Sequence, residues 1–258
     1  MAPNGTYVEL TESWHMPMPA IEQEMVFRRY SFFRSLSDGT MLEVGCGQAL
    51  GNELLIDDNR FVVSCDLELE NVAMAKANID GVFGVADATF LPFAPDSFDA
   101  VAACEMIYYV PDQATMVREM ARVLRPGGAV FIACANPERP SFHESPHSTH
   151  YPSARELDRL LRDAGLEPTV YGVFPLDTSL RGRVLRLAAA IATKLHVVPK
   201  TLAGRGALKR IFFGELTPFE GTSAPASRQA EIPTPVQIPG DQRCDGFRVL
   251  YAVGRLKE

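Results

Sequence analysis

The chain has 258 residues, of which 47% are hydrophobic and 22% are charged, and its formal net charge is −7. This composition is typical of a globular protein and excludes a mostly disordered or fibrous chain. General nucleic-acid binders carry a net positive charge, whereas this chain is acidic. We therefore expect no nucleic-acid partner. No apolar run reaches the roughly 20 residues of a membrane span, and the first residues lack a secretory signal, so we expect a cytoplasmic protein.

Short apolar runs alternate with helical patterns along most of the chain. Strands are predicted over residues 40–45, 61–66, 81–86, 98–104, 129–135, 166–174 and 246–254, and helices over 20–36, 49–57, 69–78, 112–124, 153–164 and 180–196. Asp112 is placed as an N-cap, and Ser153 with Glu156 has the spacing of a capping box. The strand runs are apolar throughout, which is typical of a parallel sheet covered on both faces. The pattern therefore predicts a doubly wound, Rossmann-like α/β fold with a mostly parallel sheet.

Four regions follow from this pattern. Residues 1–36 form an N-terminal helical cap, 37–174 the α/β core, 175–243 an insertion that serves as substrate-binding segment or lid, and 244–258 the last strand of the core sheet. An insertion of this length before the last strand is unusual in a compact domain, and long loops of this kind are often functional.

The five cysteines, at positions 46, 65, 104, 134 and 244, form no C-x-x-C pair. This spacing excludes a zinc ribbon and a dithiol motif, and an odd number without a signal sequence fits reduced thiols. We expect them to be small buried side chains.

A glycine-rich loop follows the first core strand and is paired with an acid. Gly45 and Gly47 permit a sharp turn and close approach of a ligand, and Asp66 ends the second strand 19 residues after Gly47. A carboxylate at that place can accept hydrogen bonds from both hydroxyls of an adenosine ribose. A dinucleotide fingerprint would need a third glycine where Leu50 stands, which argues against NAD. S-adenosylmethionine carries no phosphate and does not require that fingerprint.

Four segments together resemble the class I S-adenosylmethionine-dependent methyltransferases, in particular their small-molecule branch. They read LEVGCGQALG, SCDLELENVAMAKAN, GVADATFLPFAPDSFDAVAACEMIYYV and REMARVLRPGGAVFIACANP, and the resemblance covers about residues 38–174. One departure is Ala49, where many members have a third glycine. The resemblance implies methyl transfer to a small-molecule acceptor, with an oxygen of a sugar, lipid or secondary metabolite as the expected target. The alternatives are an NAD(P)-dependent oxidoreductase and a catalytically inactive cofactor-binding subunit.

The resemblance also implies a set of cofactor-binding residues. They are Glu43, Gly45, Cys46, Gly47, Asp66, Leu67, Asp87, Ala88 and Cys104. The glycine loop would pass under the methionine and ribose, with Glu43 organising it. Asp66 would hold the ribose hydroxyls, Asp87 the adenine amino group, and the end of the fourth core strand at Cys104 the ammonium group.

Candidate catalytic residues lie in two segments. The first segment is residues 105–109, in which Tyr109 stands where relatives often have histidine. Tyrosine in general has a pKa near 10, so we expect Tyr109 to shape the site rather than to act as a base. In the second, His143 and His147 lie in a histidine-rich loop, and a histidine suits proton abstraction from a hydroxyl. We expect no metal.

The insertion contains a basic segment, residues 178–213. It holds eight Arg or Lys residues and no acid, so the rest of the chain carries −15 (−7 minus 8). Three interpretations of this segment are compatible with the sequence. It forms the solvated face of a helix, a surface that binds an anionic acceptor, or a surface that docks peripherally on anionic lipid. A homo-oligomer is also compatible with the sequence.

The arginines at the start of the basic segment provide a test. If they bind an anionic acceptor, replacing Arg181, Arg183 and Arg186 with Gln should raise the acceptor's KM and leave cofactor affinity nearly unchanged, because arginine's planar fork suits phosphate and carboxylate. Steady-state kinetics at two salt concentrations measure this, since salt screens exposed charges. Loss of sedimentation with anionic vesicles would support lipid docking instead, and no response in either assay would leave a solvated face.

Overall fold

The structure, a computed structural model, describes residues 17–140, 142–145, 147–176, 216–217, 234–240 and 242–257. The predicted helix 180–196 and the basic segment lie outside these residues. Within the described part, ten strands and four α-helices form. The strands are β1 (Met18–Pro19), β2 (Thr40–Val44), β3 (Phe61–Asp66), β4 (Val82–Val85), β5 (Phe98–Cys104), β6 (Leu124–Ala135), β7 (Glu167–Pro175), β8 (Leu216–Thr217), β9 (Val236–Ile238) and β10 (Phe247–Arg255). The helices are α1 (Ala20–Arg34), α2 (Leu69–Asn78), α3 (Gln113–Arg122) and α4 (Ala154–Asp163).

Eight strands form one sheet in the order β4-β3-β2-β5-β6-β10-β7-β9. The β4-β3-β2-β5-β6 part is parallel, whereas β10 runs antiparallel to β6 and β7, and β9 runs antiparallel to β7. The chain order reverses at β2, which lies between β3 and β5, and such reversal points are where α/β sheets bind ligands. The predicted α/β fold with a mostly parallel sheet is confirmed.

Both faces of the sheet are buried, as the apolar strands predict. Along β6, Val130, Ile132 and Cys134 face the layer that contains α3 and α4, while Phe131 and Ala133 face α1. This alternation explains why β6 has no polar face. All five cysteines are free and buried, as expected, and burial raises the pKa of Cys65 to about 12.

The predicted helix starts are also present. The Asp112 side chain accepts a hydrogen bond from the Thr115 amide at the start of α3. At the start of α4, Ser153 and Glu156 form the complete capping box. No helix in the described part of the chain is long and apolar enough to cross a membrane.

Three predicted elements differ from the structure. Residues 49–57 form no α-helix but a single 3₁₀ turn, Asn52–Leu54, because Ala49 has a φ of 59°, which an α-helix cannot contain. β6 begins at Leu124 rather than at residue 129, with an irregular register opposite β5. Within the predicted insertion 175–243, β8 pairs with β1 and β9 pairs with β7, so this region adds strands that the sequence did not predict.

The 3₁₀ turn explains a requirement for glycine at position 51. A Cβ atom on Gly51 would lie 2.1 Å from the ring of Tyr30, which is buried and cannot move aside cheaply. We therefore predict that Gly51→Ala lowers the free energy of unfolding by about 1–3 kcal/mol, as overpacked sites do. Urea unfolding measures this value. Gly84→Ala in β4 is the matched control, since a Cβ there meets nothing within 4 Å, and it should be neutral or slightly stabilising. Equal effects of the two substitutions would contradict the packing argument.

Candidate active site

A cavity of about 800 Å³ opens at the carboxyl ends of β2, β3 and β5. Small-molecule sites typically have volumes of about 300–1,000 Å³, so the cavity can hold a cofactor and a small acceptor. It is lined by Arg29, Tyr30, Val44, Gly45, Cys46, Gly47, Gln48, Leu50, Asp66, Leu67, Glu68, Asn71, Ala86, Asp87, Ala88, Thr89, Cys104, Glu105, Met106, Tyr108, Tyr109, Val110, Pro111, Asp112, Ser145 and His147. Of the nine predicted cofactor-binding residues, eight line it.

The glycine loop is held against the neighbouring strands. The amides of Gly45 and Cys46 both donate to the carbonyl of Cys65, over 2.7 and 3.0 Å. Gly45 and Gly47 have φ values of 70° and 54°, where glycine is favoured. A Cβ on Gly45 would lie 2.6 Å from Cγ of Met106, so the loop packs directly on the segment that follows β5.

Asp66 connects this loop to helix α2. Its Oδ2 accepts a hydrogen bond from the Gly47 amide over 2.8 Å, and its Oδ1 accepts from the Glu68 amide and from Nδ2 of Asn71. An ionised carboxylate has about four acceptor positions, so these bonds leave capacity for a ligand hydroxyl. Asp66 therefore fixes the glycine loop, and it lies at the cavity wall on the side predicted for the ribose.

The predicted adenine side is next to Asp66. Asp87 follows β4, and its Oδ1 accepts hydrogen bonds from the amide and the hydroxyl of Thr89, which makes a tight turn. Ala88 is buried, whereas Leu67 is 61% exposed at the cavity rim, so its side chain offers an apolar face to a ring. Cys104 lies across the cavity, at the end of β5.

Glu43 is the one predicted cofactor residue that does not line the cavity. It is fully buried behind the loop and accepts a hydrogen bond from the Tyr30 hydroxyl over 2.5 Å. Burial, followed by the charge of Glu43, holds the pKa of Tyr30 well above its usual value. Glu43 thus connects the loop strand to α1 rather than facing a ligand.

The structure separates the predicted catalytic residues. Tyr109 and His147 line the cavity, whereas His143 is not among the lining residues; both histidines are exposed. The Tyr109 hydroxyl is 3.0 Å from Oγ of Ser145, whose amide donates to the hydroxyl of Tyr151. Tyr109 is therefore fixed against the histidine-rich loop.

Sixteen of the 26 lining residues were not predicted as site residues, and Arg29, Tyr30 and Ser145 are among them. Arg29 and Tyr30 come from α1, and Ser145 comes from the loop after β6. No local pattern marks the first two, because they reach the cavity only through the packing of α1. Ser145 lies between His143 and His147 in the sequence. Serine is so common in loops that its presence there did not indicate a functional residue.

The charges at the cavity are mostly negative. Five acids line it, and Arg29 is the one Arg or Lys among the described lining residues; the acids are Asp66, Glu68, Asp87, Glu105 and Asp112. Such a lining favours a ligand with positive charge. The sulfonium and ammonium groups of S-adenosylmethionine fit this requirement, and its ribose and adenine fit the Asp66 and Asp87 side.

Residues 42–132 match a sequence family described as a methyltransferase domain. This segment is similar to S-adenosylmethionine-dependent methyltransferases. S-adenosylmethionine is the cofactor that this similarity implies.

Several curated methyltransferases are similar to this chain. A probable S-adenosylmethionine-dependent methyltransferase of Mycolicibacterium smegmatis is 33% identical over 159 residues, which cover 58% of this chain and 60% of that protein. The O-methyltransferase resE of Aspergillus sclerotiorum is 27% identical over 190 residues, which cover 63% of this chain and 70% of that protein. A ubiquinone biosynthesis O-methyltransferase of Xylella fastidiosa is 35% identical over 108 residues, which cover 40% of this chain and 44% of that protein. The chain thus spans less than two thirds of two of these three relatives.

Solved structures share the fold at low sequence identity. A methyltransferase of Thermotoga maritima has a TM-score of 0.57 at 16% identity, with 92% of both chains covered. The [4+2]-cyclase SpnF also has a TM-score of 0.57, at 17% identity, with 96% of this chain and 85% of that chain covered. Because one of these neighbours is a cyclase, the fold alone does not specify methyl transfer.

The position of Asp66 predicts its contribution to cofactor binding. Asp66→Ala should weaken binding of S-adenosylmethionine by about 2–4 kcal/mol, because charge-assisted hydrogen bonds to the ribose are lost. Isothermal titration calorimetry measures the affinity. Glu70→Ala removes an exposed acid from the same helix start and should leave it nearly unchanged. Equal affinities of wild type and Asp66→Ala would contradict the placement of the ribose.

Proposed function

We propose that this protein transfers a methyl group from S-adenosylmethionine to a hydroxyl oxygen of a small molecule, with His147 as the general base. The observation that carries the proposal is that His147 and Tyr109 line the same cavity as the cofactor loop. Two of the similar proteins are named O-methyltransferases, which supports oxygen as the acceptor atom.

The cofactor supplies an electrophilic methyl group on a sulfonium. The chain must then hold the acceptor oxygen about 3–3.5 Å from that methyl group and in line with the leaving sulfur. Tyr109, fixed by Ser145, forms one wall for the acceptor, and Met106 forms another beneath Gly45.

A hydroxyl acceptor must also lose its proton. His147 lines the cavity and has a φ of 71°, a conformation that costs energy in a residue other than glycine. Backbone strain of this kind is concentrated at functional sites. A neutral imidazole there can take the proton, and it would do so without a metal.

The identity of the acceptor remains part of the proposal. An anionic acceptor, or a docked lipid surface, would be recognised by the basic segment 178–213. Among the Asp, Glu, Arg and Lys residues of the described cavity lining, all but Arg29 are acidic, which disfavours a negative group of the acceptor inside the cavity.

The two histidines give a matched pair of variants. His147→Ala should lower turnover by about 10²–10⁴-fold, which is the usual contribution of a general base, and His143→Ala should stay close to wild type. Since histidines in general titrate near pH 6.5, a base of this type acts when neutral, and wild-type turnover should fall toward acid pH. Formation of S-adenosylhomocysteine with an accepted substrate measures turnover. A His147→Ala variant with wild-type rates would refute this base.

A further inference from the structure

Two arginines near the cavity have no carboxylate partner among the described residues. Arg139 follows β6, and Arg248 is the second residue of β10. In this part of the chain neither guanidinium group forms an ion pair, and Nε of Arg139 is a buried donor without an acceptor. A buried donor that is left unpaired costs free energy, so its presence calls for an explanation.

Backbone hydrogen bonds hold the two arginines at the same edge of the sheet. The Asn136 amide donates to the carbonyl of Arg248 over 3.0 Å, which fixes the start of β10 beside the end of β6. The acid next to Arg139 in the sequence is used elsewhere, because Oε2 of Glu138 accepts from the Cys244 amide over 3.0 Å. The fold thus brings two cations together and directs the nearest carboxylate to another partner.

The electrostatics at Arg139 are those of a site that lacks an anion. Burial, followed by the charge of Arg248, lowers the pKa of Arg139, although an arginine remains protonated after such a shift. Glu105 acts on this pKa in the opposite direction, but its carboxylate already pairs with Arg29 and accepts from the Tyr108 hydroxyl. An anion bound by both Arg139 and Arg248 would offset their mutual repulsion.

An aromatic column of Phe142, Tyr151 and Tyr108 connects Arg139 to the cavity. Cζ of Arg139 lies 5.6 Å from the centroid of the Phe142 ring. The rings of Phe142 and Tyr151 are 4.7 Å apart, and Tyr151 stacks on Tyr108 at 4.1 Å. Tyr108 lines the cavity, as does His147, which lies on the same loop as Arg139. The arginine is therefore outside the cavity lining but packed on residues that lead to its wall.

We propose that Arg139 and Arg248 bind an anionic oxygen group of the acceptor, a carboxylate or a phosphate, at a subsite beside the cavity. The planar fork of a guanidinium group matches both of these groups. The acidic cavity lining disfavours such a group at the position of methyl transfer, so the acceptor extends from its hydroxyl in the cavity to its anionic end at the two arginines. This inference rests on the proposed function, because it names the class of acceptor.

The rival explanation is that Arg139 only packs the loop after β6 against the aromatic column. A packing role would not distinguish ligands by their charge. The probes are therefore benzoate, which carries a carboxylate, phenyl phosphate, and benzamide as the uncharged control. Isothermal titration calorimetry with the full-length protein, saturated with S-adenosylhomocysteine and at constant ionic strength, gives the affinities.

The wild type should bind at least one anionic probe more tightly than benzamide, and that probe identifies the anionic group. Arg139→Met and Arg248→Met should each weaken it by at least about tenfold, as expected for the loss of a hydrogen bond to a charged group. Arg139→Lys keeps the charge without the fork and should retain part of the affinity. The affinity for S-adenosylhomocysteine should stay unchanged in all three variants, which shows that they are folded. If Arg139→Met does not fold, the other two variants decide.

Arg255→Met is the matched control. Arg255 is an exposed residue at the other end of β10 and should leave the affinity for every probe unchanged. Wild-type affinity in Arg139→Met or Arg248→Met, or a wild type that prefers neither anion to benzamide, would overturn the inference and leave the proposed function intact. Loss of the anionic probe only after Arg181, Arg183 and Arg186 are replaced with Gln would also overturn it, in favour of the basic segment. A wild type that binds no S-adenosylhomocysteine would overturn the proposed function, on which the inference rests.

Discussion

The structure of the site depends on the hydrogen bond from the Gly47 amide to the Asp66 carboxylate. This bond joins the loop after β2 to the end of β3, at the place where the strand order reverses. The same carboxylate holds the start of α2 through Glu68 and Asn71. One carboxylate thus connects the glycine loop, the start of α2 and the wall of the cavity.

The second constraint is the packing of α1 over the cavity. Tyr30 fills the space that Gly51 leaves open and donates to Glu43, and Arg29 meets Glu105 beyond β5. Through these contacts α1 contributes side chains to the cavity that the glycine loop also lines. Part of the cavity lining, Arg29 and Tyr30, therefore comes from α1.

The sequence predicted most of the core because its signals are local. Apolar runs identified the parallel strands, and the caps at Asp112 and Ser153 depend on side chains within three residues. The helix expected over 49–57 failed because the left-handed Ala49 and the contact of Gly51 with Tyr30 override local helix preference. The sequence could not predict which of His143 and His147 lines the cavity, or that Arg29 and Tyr30 line it. These positions depend on contacts between segments that are distant in the sequence.

The most direct measurement of the central claim is the stoichiometry of methyl transfer. Purified protein is incubated with S-adenosylmethionine and a panel of hydroxylated small molecules, and the products are analysed by mass spectrometry. The account predicts that an accepted compound gains the mass of one methylene group while one equivalent of S-adenosylhomocysteine forms. A protein that converts a compound without gain of that mass, or that binds NADH and not S-adenosylhomocysteine, would contradict it.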